Sequence, residues 1–160
     1  MHVEPQAEHR WLQKLLGEWT SEMEASMAPD KPPEKFVGSD SVRSIGDVWV
    51  MCEGRGPMPD GKTAVTMMTL GYDPARKKFV GTFIGSMMTY LWVYEGTLDA
   101  SGKKLVLDAE GPSFTGDGKM AKYKDSIEFL SDDHRTLTSQ LLGDDGKWTQ
   151  FMEAHYRRKR

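Results

Sequence analysis

Cysteine is nearly absent: Cys52 stands alone in a chain of 160 residues. One thiol can neither close an internal disulfide nor build a multi-thiolate metal site. Its setting in "VWVMCEG", an apolar stretch, predicts a buried and inert side chain. No apolar run approaches the roughly 18 residues needed to span a bilayer. The opening "MHVEPQAEHRW" carries acids and no apolar segment, which is not the pattern of a secretory signal. Positive charge is not in surplus either: 24 acids face 21 bases, for a net charge of -3. That balance gives no electrostatic reason to expect nucleic acid or an anionic membrane as partner. The basic run "HYRRKR" (155–160) reads as a solvated tail. GxSxG, P-loop, GxGxxG and HExxH signatures are all missing, and Ser113 has no evident His and acid partners for nucleophilic work. These absences lead to the expectation of a cytoplasmic protein, more non-enzymatic than enzymatic, with no cofactor.

Methionine is the residue in excess, 11 of 160. Its unbranched, polarizable side chain adapts to irregular apolar space. It therefore suits either a loosely specified core or a pliable pocket lining.

Residues 6–16, "QAEHRWLQKLL", place Trp11, Leu12, Leu15 and Leu16 on one apolar stripe of a short helix. Gly17 then stands where a C′ glycine would stop it. From Trp19 the period changes to two: Trp19, Ser21, Met23, Ala25 and Met27 alternate with Thr20, Glu22, Glu24 and Ser26, a half-buried strand. The prolines of "APDKPP" (28–33) make a loop. Further strands are expected near 34–44, 47–55, 63–72, 77–86, 91–98, 103–110, 122–131, 134–142 and 147–157. The breaks between them carry turn chemistry, as in Pro59-Asp60-Gly61, Ala100-Ser101-Gly102 and Asp144-Asp145-Gly146, and are short enough for hairpins.

About ten antiparallel strands in up-and-down order, after one helix, form a single domain over 1–160 (helix 6–16, barrel 19–157). A flat meander of that length would expose two edges, and closure removes them. The expected fold is therefore all-β, an up-and-down antiparallel barrel, with a β-sandwich as the competing arrangement. Gly38, Gly81 and Gly85 suit bends or bulges in a closing sheet. The helix would lie across one end, with Trp19 as the first inward residue.

The Gly17-Glu18-Trp19 motif resembles the Gly-x-Trp of lipocalins and their calycin relatives. That likeness implies an arginine from the end of the last strand over the Trp ring, a part for Arg157 or its neighbour Arg158. Over Glu8 to Arg157 the chain is similar to a bacterial family known only as a domain of unknown function, number fifteen-seventy-nine. "EHRWLQKLLGEW", "MTLGYDP", "FVGTFIGSMMTYLWVYEG", "EGPSF" and "KYKDSIEF" carry the likeness. It implies a calycin-like barrel and brings no substrate, cofactor or catalytic residue.

A small barrel either fills with side chains or keeps a cavity for one ligand. The stretch "GSMMTYLWVYEG" (85–96) is richest: Trp92, Tyr94 and Gly96 share one strand face, and Leu91, Val93 and Glu95 the other. With Met68 and Met88, these aromatics suit an apolar ligand with one polar end. The same residues read as core on one face and a homodimer interface on the other. In "KYKDSIEF", Tyr123, Asp125, Ile127 and Phe129 share a face, which points Asp125 inward. A desolvated carboxylate must find a partner or stay neutral: Arg43, Tyr123 or a ligand cation could serve. The first expectation is non-enzymatic binding of a small, mostly apolar molecule. The alternatives are an enzyme using Asp125 or Glu95 as an inward base, haem held by His155 at the barrel mouth, and a structural, dimerising module with a filled interior. "GPSFTGDGKM" (111–120) is expected as a loop over the mouth.

Overall fold

A computed structural model describes residues 1–26, 31–114 and 116–159. Met27, residues 28–30 of the proline loop, Thr115 of the mouth loop and Arg160 of the tail lie outside the described residues. One helix, α1 (Ala7–Gln13), precedes ten strands: β1 (Gly17–Ala25), β2 (Glu34–Ile45), β3 (Trp49–Pro57), β4 (Thr63–Asp73), β5 (Lys78–Gly85), β6 (Trp92–Leu98), β7 (Lys104–Pro112), β8 (Met120–Ser131), β9 (His134–Leu142) and β10 (Trp148–Arg158). Each strand pairs antiparallel with the next, and β1 also pairs with β10, so the sheet is a closed barrel rather than a sandwich. Closure gives every described strand a neighbour on both sides.

The period-two alternation decides which side chains enter the lumen. On β1, Trp19 and Ala25 are buried while Thr20, Glu22 and Glu24 are exposed. On β8, Tyr123, Ile127 and Phe129 are buried and Lys122 is exposed. Loops β2–β3, β4–β5, β6–β7 and β8–β9 define one end of the barrel, and α1 crosses it. The Trp11 indole N–H donates to the Gly102 carbonyl at 2.8 Å, and its ring meets Phe79 and Phe129 edge to face. His9 accepts from the Gln6 amide at Nδ1 (2.9 Å), which leaves Nε2 to donate to the Tyr72 carbonyl (3.0 Å). Leu12, Leu15, Trp19, Val50, Leu70, Leu105 and Leu107 are fully buried behind the helix. Each such side chain contributes roughly 1.5–3 kcal/mol of transfer free energy, so the plugged end is the solid half of the barrel.

Three expectations about local geometry change. The helix ends at Gln13, with Lys14 as a right-handed cap, so Gly17 is not its stop signal. Gly17 is the first residue of β1 with φ +121°. A Cβ there would lie 2.7 Å from Arg158 Nη1, so the position needs a residue without a side chain. The register shifts fall between Phe129 and Ser131 and between Gln150 and Met152, not at Gly38, Gly81 or Gly85. At Gly38 and Gly81 a Cβ would collide with the Arg55 and Thr69 carbonyls. Those glycines let adjacent strands close up rather than bulge.

Candidate functional site

A floor divides the lumen. Arg135 of β9 reaches across to Asp40 of β2, Nη2 to Oδ2 at 2.8 Å, with both side chains about nine-tenths buried or more. Its guanidinium lies between Trp19 (4.7 Å) and Tyr156 (4.1 Å). Planar, weakly hydrated and always charged, a guanidinium tolerates this sandwich better than an ammonium. Burial pushes Asp40 upward from the usual carboxylate range, and the adjoining Arg135 charge pulls it back. Beside the floor, burial and then the Asp40 charge push the Cys52 thiol up to about 12, which keeps it a protonated, unreactive filler.

One layer nearer the open mouth sits Asp125. It points into the lumen and faces Ser139 across the β8–β9 ladder. The Tyr94 hydroxyl donates to Oδ2 at 2.5 Å, and the Ser139 hydroxyl donates to Oδ1 at 2.6 Å. Burial raises the Asp125 pKa, while the Ser139 and Tyr94 hydrogen bonds oppose the rise. Tyr94, 2 % exposed, goes far above the ordinary phenol value through burial and then the Asp125 charge. Asp125 as a whole residue is half-buried.

Above Asp125 lies an aromatic collar. Trp92 and Tyr123 meet edge to face with centroids 5.0 Å apart, Tyr123 meets Phe114, and Phe114 meets Phe151. The collar covers a weak seam, because β6 and β7 pair only over Glu95–Leu98 with Leu105–Asp108. Beyond it, side chains replace the ladder: the Trp92 ring lies on Gly111, where a Cβ would strike it, and the Tyr90 hydroxyl donates to the Glu110 carbonyl at 3.0 Å. Phe114 belongs to the β7–β8 connection, which lies at the mouth.

At the floor itself the lumen keeps a cavity of about 40 Å³, bounded by Asp40, Arg135, Cys52, Met68, Phe83 and Tyr156 among others. That is room for water, since one molecule needs about 10–15 Å³ by this measure. It is not room for a drug-sized ligand, which takes ~300–1,000 Å³. A larger hollow of about 540 Å³ is on the outer wall, where Thr20, Glu22 and Val37 are exposed.

The structure thus gathers Met68, Trp92, Tyr94, Tyr123 and Asp125 in or around the lumen. Met88 sits outside it, in the β5–β6 connection, where its Sδ accepts from the Trp92 indole N–H at 3.3 Å. Four sequence assignments need correction. Glu95 faces outward and pairs with Arg76, as strand alternation beside buried Tyr94 requires, so it is no inward base. Arg43 is exposed on the outer face and does not serve Asp125. His155 also lies on the outer wall, bonded to His134 (2.8 Å) and facing Glu153 (3.5 Å), so it cannot offer an axial nitrogen to a group in the mouth. Arg157 is exposed, and Arg158, registered against Trp19, takes the place over its ring at 4.2 Å. Sequence reasoning missed Ser139, Asp40 and Arg135. Alternation held the signal: Arg135, Leu137, Ser139 and Leu141 share a face, as do Phe36, Gly38, Asp40 and Val42.

The fold and lumen define a small closed ten-stranded barrel with a helix plug. Residues 4–158 match the family described as "Protein of unknown function (DUF1579)", and the chain belongs to that family. No curated protein matches it. Among solved structures it is similar to Rv2717c from M. tuberculosis at 15% identity and TM-score 0.69, covering 98% of this chain and 100% of that one. It is similar to the S-type phycobiliprotein lyase CPES from Guillardia theta at 13% identity and TM-score 0.68, over 97% and 94% of the two chains. A redesigned barrel, EF1p2_mFAP2b bound to DFHBI, gives 15% identity and TM-score 0.50, over 94% and 98%. At these identities the likeness is one of fold. No helix among the described residues is long and apolar enough to cross a membrane.

Proposed function

We propose that the protein is a non-enzymatic binder of a small, mostly apolar molecule. The molecule occupies the mouth half of the barrel above the Asp40–Arg135 floor. One observation carries the reading: among the described residues Asp125, a half-buried carboxylate inside the barrel, has only the neutral Tyr94 and Ser139 hydroxyls as hydrogen-bond partners. A purely structural core gains nothing from a carboxylate at that depth, because desolvation costs several kcal/mol. Because the standing cavity is about 40 Å³, a ligand must displace the collar. Trp92, Phe114 and the soft Met88 and Met68 are the side chains that would yield. That barrels of this fold can take small molecules is supported by the DFHBI-bound redesign. An enzymatic reading gains less support, since the groups bonded to Asp125 are hydroxyls rather than a second acid or base. A cytoplasmic location is part of the same proposal.

The small cavity favours a second reading, a filled barrel acting through its outer wall. Ile84, Leu91 and Val93 are exposed on and beside β5–β6 and would then meet a second copy. Native mass spectrometry of protein purified gently from its own host separates the two. A co-purifying small molecule released by collar substitutions is the expected result. A ligand-free dimer that dissociates in Val93→Glu supports the second reading and removes the first.

A further inference from the structure

We infer that the ligand is an apolar cation whose protonated nitrogen docks on Asp125. The inference rests on the binding reading above and adds the ligand's charge class.

Donor and acceptor capacity in the mouth half is unbalanced. Five hydroxyl or indole N–H groups towards the mouth are already committed, and the unpartnered N–H of Arg135 Nε lies below them at the floor. Tyr94 and Ser139 donate to Asp125, Tyr123 donates to the Pro112 carbonyl (2.6 Å), Tyr90 to the Glu110 carbonyl and Trp92 to Met88. A ligand offering a carbonyl or a carboxylate therefore meets no free side-chain donor among these. Acceptor capacity remains. A carboxylate has about four lone-pair sites, and the two hydroxyls take one on each oxygen. The group that fits what is left is a donor, and a charged donor fits the charge as well.

The electrostatics agree. The ionisable pair nearest the same lumen is Asp40–Arg135, which is internally neutral because Arg135 is tied to Asp40. Among the described residues no lysine, arginine or histidine makes an ion pair with Asp125. With all three groups ionised, the lumen carries one uncompensated negative charge. Trp92 and Tyr123 stand two positions towards the mouth from Tyr94 and Asp125 on β6 and β8, and aromatic rings attract cations within about 6 Å of their faces. Apolar walls, aromatic faces and one carboxylate are the elements that recognise an alkyl- or arylammonium.

The test is titration of the purified protein, by calorimetry, with matched arylmethyl probes from benzyl through naphthylmethyl to anthracenylmethyl, each as ammonium, alcohol and carboxylate. The ammonium form should bind at least tenfold tighter than the alcohol of the same skeleton, and the carboxylate should not bind measurably. Asp125→Asn, checked for a native far-UV spectrum, should bring the ammonium down to the alcohol's affinity. Ser139→Ala keeps the carboxylate and should keep the preference. Alcohols that bind as tightly as ammoniums overturn the charge assignment and leave the binding reading standing. Absence of binding by all three forms on every skeleton overturns both.

Discussion

The guanidinium of Arg158 lies 4.2 Å over the Trp19 ring and reaches past Gly17 to donate to the Leu16 carbonyl at 2.6 Å and the Lys14 carbonyl at 3.1 Å. The end of the last strand thereby clamps the turn between α1 and β1. The Trp19 indole N–H completes the clamp on the Leu15 carbonyl at 2.9 Å. Glycine two residues before tryptophan is what this stacking requires, since a Cβ would occupy the guanidinium's path. Gly17→Ala should therefore destabilise by about 1–3 kcal/mol through positive-φ strain alone, with the steric clash added. Arg158→Ala should cost about 2–3 kcal/mol by loss of charge-assisted hydrogen bonds, whereas Arg157→Ala should stay within about 0.5 kcal/mol. Urea unfolding of the three variants checks the ranking, and equal effects at Arg157 and Arg158 would refute the clamp.

Asp40→Ala leaves the Arg135 guanidinium charged, buried and unpaired. A loss of about 3–5 kcal/mol is expected for such a break. The double variant Asp40→Leu with Arg135→Met should lose much less than the sum of its single changes. A double-mutant cycle by chemical denaturation measures the coupling, and additivity would show that the pair does not act as a unit.

Asp125 predicts a gain in stability on substitution. Its folded pKa lies above the unfolded value because burial outweighs its two hydrogen bonds. The folded state therefore binds the proton more tightly than the unfolded chain. This contribution favours folding below the unfolded carboxyl pKa and is lost as pH rises through the folded one. Tyr94 and Ser139 face the group from β6 and β9, and the Asp40–Arg135 pair adds no net charge. Asp125→Asn should raise Tm at neutral pH, by roughly 2–4 °C for each kcal/mol recovered, with the difference shrinking below about pH 4. A lower Tm at neutral pH would mean that the carboxylate is there for stability.

Cys52 should be silent towards thiol reagents in the folded protein, because it is 7 % exposed and its pKa is pushed up to about 12. Ellman's reagent should find no thiol in native protein and one per chain in denaturant. Rapid native labelling would show that the lumen beside the floor opens readily.

Substituting Gly111 should loosen the collar. A Cβ there collides with the Trp92 ring that covers the β6–β7 seam. Gly111→Ala should speed amide exchange in Trp92–Tyr94 and leave β8–β9 unchanged. Uniform loss of protection would point to global unfolding instead.

Much of this was readable from residue order. All ten strands fall within about three residues of their expected positions, because turn residues bracket each alternating run. Asp125 was legible as an inward acid for the same reason: a period of two assigns a face without knowledge of the neighbours. Alternation at Trp92, Tyr94 and Gly96 likewise assigned Glu95 to the opposite face, which the structure turns to solvent. Single-residue placements at strand ends were not legible. Arg157 and Arg158 differ by one position, and a one-residue shift reverses the face.

The amino-acid order by itself determined the strand count, the up-and-down sequence of hairpins and the face of the side chains within regular strand interiors. Those depend on neighbours two residues apart and on local turn chemistry. Only the closed tertiary structure decided which side chains meet across the lumen. Asp40 and Arg135 are 95 positions apart, and Tyr94 and Asp125 are 31 apart. Their pairing follows from barrel closure and ladder register, quantities set by all ten strands together. The same closure shaped the cavity of about 40 Å³ at the Asp40–Arg135 floor, whose walls come from the helix end and several strands.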